Sequence, residues 1–207
     1  MSPGWAKVSD PCGLVPGVDR DEFWALVERS SSQQGPEGRA EWLTRRLTKL
    51  PAAEIEDFQE HVDELHDRAD RWVLWGAAWL VCGGLCSDDG FWYFQAWLVG
   101  QGRAVFDLVT ADPDALAEVP AVRALAGRSS GHWAEAEWPD WESLDYVAEE
   151  AYEEVTGADD LEDVLEKRRG SVFRAWPEPA DDRFEFGDEA EMARRYPKLM
   201  AMFPTKR

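Results

Sequence analysis

The sequence predicts an all-α fold, in which a single compact domain of several helices surrounds a buried, tryptophan-rich helical hairpin. Apolar residues recur at helical spacing along most of the chain, and the connections between these stretches are short. No repeat and no boundary divides the chain into two cores. Residues 1–18, with three prolines and three glycines, are expected to form a flexible leader, and residues 19–207 the single domain.

The hairpin is predicted from residues 74–103, which hold two apolar helices joined by a glycine turn. In the second helix Phe91 and Leu98 lie on one apolar stripe, yet Trp97 faces away from it. A helix that is apolar on all sides is normally buried or spans a membrane, and this apolar run is shorter than the ~20 residues that a crossing needs. We therefore expect the hairpin and its indoles in the interior of the domain.

The helices before the hairpin follow from caps and spacing. Asp19 and Glu22 have the spacing of a capping box, which predicts that the first helix begins there. The second helix presents Leu43 and Leu47 to the core, and Arg39 is expected to face water.

A third, long helix should start near Pro51 and continue without a break past Trp72 into the hairpin. Gly83, which tolerates the left-handed conformation, ends it, and Ser87 or Asp88 caps the next helix.

The rest of the chain reads as shorter helices and loops. Trp133 and Trp138 fall in a predicted surface loop, where they are candidates for contact with a partner, and Val155 falls on a buried stripe. The predicted elements are helices at residues 103–110, after Pro113, after Pro120, at 140–157 and at 161–168, an irregular segment at 170–187, and a last helix at 188–197 followed by a docked tail of Leu199, Met202 and Phe203.

Composition and charge narrow the classes of function. The hydrophobic fraction of 44% argues against disorder, and the net charge of −20 argues against binding to nucleic acid. A partner recruited by charge should be a basic protein or a cation. The three cysteines give no disulfide framework and no apolar signal segment is visible, so we expect a cytoplasmic protein that does not bind a membrane.

A resemblance to a known family rests mainly on the motif GGLCSDDGFWYFQAWLVGQGR. The shorter pieces FWALVE, ADPDALA, AYEEVTG and YPKLMAMF accompany it in order, so the likeness covers residues 19–203. These motifs resemble domain-of-unknown-function family forty-two forty, which is common in actinobacteria. The resemblance implies a bacterial protein with one mostly helical domain and transfers no activity. Residues 158–182 depart from the pattern of the family.

Asp88 and Asp89, at the start of a buried helix, are the first candidates for chemistry. Capping and the helix dipole account for carboxylates at this position. Alternatively, one carboxylate caps the helix while the other faces a cleft as a base or as a ligand to Mg²⁺ or Ca²⁺. Two carboxylates do not make a metal site, and no lysine follows the glycines to hold a phosphate. No metal and no cofactor are expected.

Four further residues each have a structural and a functional interpretation. Gln95 lies within the apolar surface and needs a partner, which is a backbone carbonyl, an indole N–H, a ligand or a polar cluster. Arg103 forms an ion pair or lines a cleft. The indoles of Trp75 and Trp92 pack in the core or offer a face to a ring or a cation.

The cysteines and histidines give weaker signals. Cys82 and Cys86 are interpreted as buried thiols, because a zinc site would also need Cys12 or His66. His61 and His66 are expected on a solvated helix face and show no triad with a serine.

Two hypotheses of function follow. The preferred one is a non-enzymatic binding or adaptor domain whose acidic surface contacts another protein. The alternative is an enzyme that binds a small molecule or a divalent cation, with a pocket formed by Asp88, Asp89, Gln95 and Arg103 beside Trp75 or Trp92.

Overall fold

The computed structural model describes residues 18–157, 160–170, 179 and 181–204. These residues form helices and turns without a strand, which confirms the predicted all-α class. Except for Val18, the predicted flexible leader lies outside the described residues. The helices are α1 (Arg20–Ser30), α2 (Gly35–Leu47), α3 (Ala52–Ala69), α4 (Trp72–Val81), α5 (Asp88–Gly100), α6 (Arg103–Ala111), α7 (Pro120–Leu125), α8 (Val147–Thr156), α9 (Leu161–Arg169), α10 (Glu189–Arg195) and α11 (Pro197–Met202).

Short 3₁₀ turns link several helices, at Pro113–Glu118, Ser130–His132, Glu135–Glu137 and Glu142–Leu144. Helix α3 packs on α5 and α8, α8 also packs on α2, and α11 packs on α4. No helix in the described part of the chain combines the length and the apolar character that a membrane crossing requires.

The predicted caps of α1 and α5 are confirmed. Asp19 and Glu22 form the capping box of α1, and the hydroxyl of Ser87 accepts a hydrogen bond from the N–H of Gly90 at 3.1 Å. The turn before Ser87 contains Gly83 and Gly84 with φ of 64° and 86°, so glycine is required by the left-handed backbone at this turn.

The prediction of one unbroken helix from Pro51 into the hairpin is wrong, because the chain breaks between α3 and α4. Arg71 is extended, with φ of −140° and ψ of 137°. The carboxylate of Asp181 accepts hydrogen bonds from the N–H groups of Trp72 and Val73 and thereby caps α4. A cap that lies more than a hundred residues away leaves no local signal in the sequence.

The indoles of the hairpin lie at the edge of the core rather than inside it, so the prediction of interior tryptophans needs correction. Trp72, Trp75 and Trp79 on α4 are partly buried, whereas smaller residues of the hairpin such as Phe94 are fully buried. Trp75 stacks on Trp72 and on Phe91, with ring centroids 5.0 and 5.1 Å away. A partly buried position suits an indole, which combines a large apolar face with an N–H donor.

The C-terminal segment covers this tryptophan face. The ring of Phe186 contacts Trp79 and packs against the ring of Phe184, and the hydroxyl of Tyr196 donates to the carbonyl of Val73 at 2.6 Å. The carboxylate of Asp114 also accepts a hydrogen bond from the backbone N–H of Leu199 at 3.0 Å and thereby caps α11. The predicted docking of the tail is confirmed, since Leu199 is fully buried and Met202 and Phe203 pack against the core.

Three further predictions of exposure are corrected. Trp133 is 9% exposed and packs edge-on against the partly buried Trp138, so these indoles are not free loop aromatics. Val155 is 40% exposed and lies off the buried stripe. Arg39 lies over the ring of Trp141, 4.2 Å from its centroid, and does not face water. Long side chains bury their stems when an aromatic face is within reach.

Candidate functional site

A series of hydrogen-bonded polar side chains connects helix α5 with α3 and with the loop before α8. Gln95, 1% exposed, places its Oε1 atom 2.8 Å from Nδ1 of His66 on α3. The other ring nitrogen of His66, Nε2, lies 3.2 Å from Oδ1 of Asp145, and the indole N–H of Trp92 donates to Oδ2 at 2.8 Å. Gln95 also forms a hydrogen bond with the carboxylate of Asp70. We refer to these five residues as the His66 network.

The imidazole of His66 joins two helices and a loop. Its ring nitrogens lie within hydrogen-bond distance of the amide oxygen of Gln95 and of the carboxylate of Asp145. The ring also stacks on Trp92 at a centroid distance of 4.0 Å and an angle of 18°. His66 is 1% exposed, and its contacts connect α3, α5 and the loop before α8.

Asp70, the last member of the His66 network, has a raised pKa. The pKa of its carboxyl is raised from the ordinary 3.8 to about 6, mainly by burial and also by the charges of Asp67 and Asp181, while Gln95 and His66 act in the opposite direction. Because the folded state binds the proton more tightly than the unfolded state, the stability contributed by Asp70 falls as the pH rises from about 4 to about 6. Above pH 6 the ionised carboxylate destabilises the fold.

Replacing Asp70 with asparagine should therefore raise the midpoint of thermal unfolding at neutral pH by several degrees, and the gain should vanish near pH 4. The amide still accepts a hydrogen bond from Gln95 but carries no charge. Unfolding midpoints across this pH range check the prediction. Glu153→Gln removes the same charge at an exposed position of α8 and should show no such pH-dependent gain, so equal profiles for the two variants would contradict this explanation.

The outer end of the network opens onto an acidic, aromatic surface. The hydroxyls of Tyr93 and Tyr146 donate to Oε1 of Glu142, at 3.1 and 3.4 Å. Tyr146 is 48% exposed, and the backbone N–H of Trp141 bonds to the carbonyl of Tyr93, which fixes the loop against α5. We call this region the α5 surface and define it as Asp89, Trp92, Tyr93, Glu142, Asp145 and Tyr146.

The electrostatics of the α5 surface are dominated by carboxylates. Desolvation, and then the hydrogen bond and charge of Glu142 and the charge of Asp89, raise the pKa of Tyr93 to about 12. The pKa of Tyr146 is raised by desolvation and by the nearby carboxylates. A phenol that resists ionisation beside carboxylates indicates a local negative potential.

The carboxylates on helix α3, in contrast, are paired with arginines of α9. Arg168 on α9 forms an ion pair with Asp57, and Arg169 forms one with Asp63 at 2.6 Å. In the part of the chain that the structure describes, no arginine or lysine forms an ion pair with Asp89 or Glu142. The α5 surface thus keeps negative charge that the α3 face has neutralised within the molecule.

Of the predicted site residues, Gln95 and Trp92 meet through His66, and Asp89 lies with Trp92 on the α5 surface. Asp88 and Asp89 are exposed in the first turn of α5, and Ser87 rather than Asp88 caps the helix. Arg103 pairs with Asp21 at 2.6 Å on the surface, and Trp75 donates to the carbonyl of Cys86 at 3.1 Å.

The cysteines of the hairpin turn are free and buried, as predicted. A hydrogen bond with Cys82, together with burial, raises the pKa of the Cys86 thiol, which disfavours its thiolate. Among the described residues, no group of three or more His, Cys, Asp or Glu side chains is placed to hold a metal ion.

Sequence reasoning missed His66, Asp70, Asp145 and the loop residues Glu142 and Tyr146. The prediction that His66 lies on a solvated face is wrong, and a signal was present, because His66 follows the buried Val62 by four residues. The loop residues carried no signal, since they reach α5 only through tertiary packing.

The comparisons with known proteins concern the part of the chain that holds these features. A sequence model of the family described as Protein of unknown function (DUF4240) matches residues 18–154, about two thirds of the chain. No curated protein and no solved structure matches the sequence. The match is shorter than the predicted span of 19–203: it includes the hairpin, the His66 network and the α5 surface, and leaves α9, α10 and α11 outside. The chain thus belongs to the DUF4240 family of proteins of unknown function.

Proposed function

We propose that this protein is a cytoplasmic, non-enzymatic adaptor that binds a basic segment of another protein at the α5 surface. The observation that carries the proposal is the presence of carboxylates beside exposed aromatic rings, with no arginine or lysine of the described residues paired to Asp89 or Glu142. The net charge of −20 adds a long-range attraction for a basic partner.

The chemistry of the surface suits an arginine side chain. A guanidinium group that stacks on the ring of Tyr146, which is 48% exposed, gains cation–π attraction. From that position its N–H groups reach the carboxylate of Glu142, and a charged donor and acceptor form the stronger kind of hydrogen bond. The buried His66 network fixes Asp145 and Trp92 behind these residues, so the surface is formed before binding.

The enzyme alternative has less support. It requires Asp88, Asp89, Gln95 and Arg103 to line one cavity. Gln95 lies in the core, whereas Arg103 pairs with Asp21 on the surface. The binding proposal needs no such convergence.

The test uses the full-length protein and a fluorescein-labelled, arginine-rich peptide, with binding followed by fluorescence anisotropy. We expect Asp89→Asn combined with Glu142→Gln to weaken binding about tenfold at low salt, since two partners of the guanidinium are lost. High salt should weaken binding by the wild-type protein, because surface charges are screened.

Matched controls separate this site from general attraction by an acidic protein. Glu153→Gln with Glu154→Gln removes the same charge from exposed positions of α8 and should leave affinity nearly unchanged. Tyr146→Ala should weaken binding, whereas Val155→Ala, at a comparably exposed apolar position, should not. Equal weakening by the test and control variants, or no binding at low salt, would refute the proposed site.

A further inference from the structure

A cavity of about 530 Å³ lies at the end of the hairpin, away from the His66 network. Three parts of the chain form its walls: the end of α4 with the glycine turn, the loop at residues 127–133, and the C-terminal residues 202–204. Pockets that hold small molecules usually enclose roughly 300–1,000 Å³ and combine apolar walls with a few polar groups. The size of this cavity is that of a small-molecule site.

The apolar walls are mainly aromatic. The indoles of Trp79 and Trp133 line the cavity, and Met202 and Phe203 close it on the C-terminal side. Glycine is required at position 84, where φ is 86° and a Cβ atom would come within 3.3 Å of the indole of Trp79. Flat apolar walls of this kind favour a planar ring, because rings stack on indole faces.

The polar groups of the lining are mostly hydrogen-bond donors. Arg128, Ser129 and Ser130 contribute a guanidinium group and two hydroxyls. The indole N–H of Trp133 is buried and has no hydrogen-bond partner among the residues that the structure describes, but it is closed off from the cavity. The donors that a bound molecule meets directly are therefore those of Arg128, Ser129 and Ser130.

The charge of the cavity is already balanced. The guanidinium of Arg128 binds both carboxylate oxygens of Glu137, one of them at 2.8 Å, so the cation has its counter-ion. A free anion would also have to approach a protein of net charge −20. Donors without a net positive charge select a neutral acceptor rather than a carboxylate.

From these observations we infer that the cavity beside the hairpin turn binds a neutral, planar aromatic molecule that carries a carbonyl oxygen. The ring stacks between Trp79 and Trp133, and the oxygen accepts hydrogen bonds from the donors of the 128–133 loop. This site is separate from the α5 surface, so either proposal stands or fails without the other.

Coumarin, which is a neutral bicyclic lactone, is the probe for the full-length protein. Naphthalene has a similar shape without an acceptor, and coumarin-3-carboxylate adds a negative charge. We expect coumarin to bind most tightly, as measured by quenching of tryptophan fluorescence and by the shift of the Trp133 indole N–H signal in ¹H–¹⁵N NMR spectra, assigned with Trp133→Phe.

Two variants locate the site. Ser130→Phe fills the cavity and should weaken coumarin binding about tenfold, whereas Ser32→Phe, at an exposed serine after α1, should leave it unchanged. Ser129→Ala combined with Ser130→Ala keeps the aromatic walls but removes two donors, so the preference for coumarin over naphthalene should decrease; this result decides the matter if Ser130→Phe does not fold. Absence of coumarin binding, equal binding by Ser130→Phe and Ser32→Phe, or tighter binding of the carboxylate would overturn the inference.

Discussion

Replacing His66 with leucine is expected to lower the free energy of unfolding by ~2–5 kcal/mol, because each of two acceptors that loses its hydrogen-bond donor costs ~1–3 kcal/mol. His66 is 1% exposed, and its two ring nitrogens contact Gln95 and Asp145. Leucine fills much of the space but removes the ring nitrogens that face the amide oxygen of the buried Gln95 and a carboxylate oxygen of the partly buried Asp145. Urea unfolding followed by circular dichroism measures the loss.

The variant His132→Leu provides the control, because His132 is exposed and should tolerate the change with little effect. A double-mutant cycle with Asp145→Asn tests the mechanism. If the cost of losing His66 arises from the unpaired carboxylate, removing that charge should recover part of the loss in the leucine variant. Identical effects of Asp145→Asn in both backgrounds would show that His66 and Asp145 are not coupled.

Gly76→Ala is expected to destabilise the protein by ~1–3 kcal/mol, which is typical of overpacking, although alanine is the better helix former. A Cβ atom at position 76 would lie 2.7 Å from the hydroxyl of Tyr196 and 2.8 Å from Cζ of Phe184. Tyr196 cannot retreat easily, since it is 2% exposed and bonded to the carbonyl of Val73. We expect faster hydrogen exchange in α10 and α11 as the C-terminal segment loosens.

Gly38→Ala is the matched substitution, because position 38 also lies within a helix and a Cβ atom there would meet only Cβ of Gln33, at 3.9 Å. Its expected effect is a gain of ~0.5–1 kcal/mol from helix propensity alone. Chemical denaturation of both variants makes the comparison. If Gly76→Ala were as stable as the wild type, the close seating of the C-terminal segment on α4 would not matter for stability.

Local sequence signals predicted most of the helices correctly. The capping box at Asp19, the serine cap at position 87 and the glycine turn each depend on residues a few positions apart, and each is confirmed. The break between α3 and α4 was missed for the converse reason, because its cap comes from Asp181.

The candidate site was predictable only in part. The sequence showed that Gln95 needed a polar partner, and the structure supplied it as His66, 29 positions earlier in the chain. The sequence also drew attention to Asp89 and Trp92, which lie on the α5 surface, but not to Glu142 or Tyr146. The cavity at the hairpin turn was not predicted, because its walls come from three distant parts of the chain.

The sequence by itself determined the helical class, the position of the hairpin, the caps within single helices and the acidic character of the protein. All of these depend on the period of apolar residues, on contacts within one or two turns, or on a sum of charges. Only the tertiary structure decided which carboxylates are neutralised, which indoles are covered and where a cavity remains. Those properties depend on the distance between groups far apart in the chain, and that distance exists only once the core has packed.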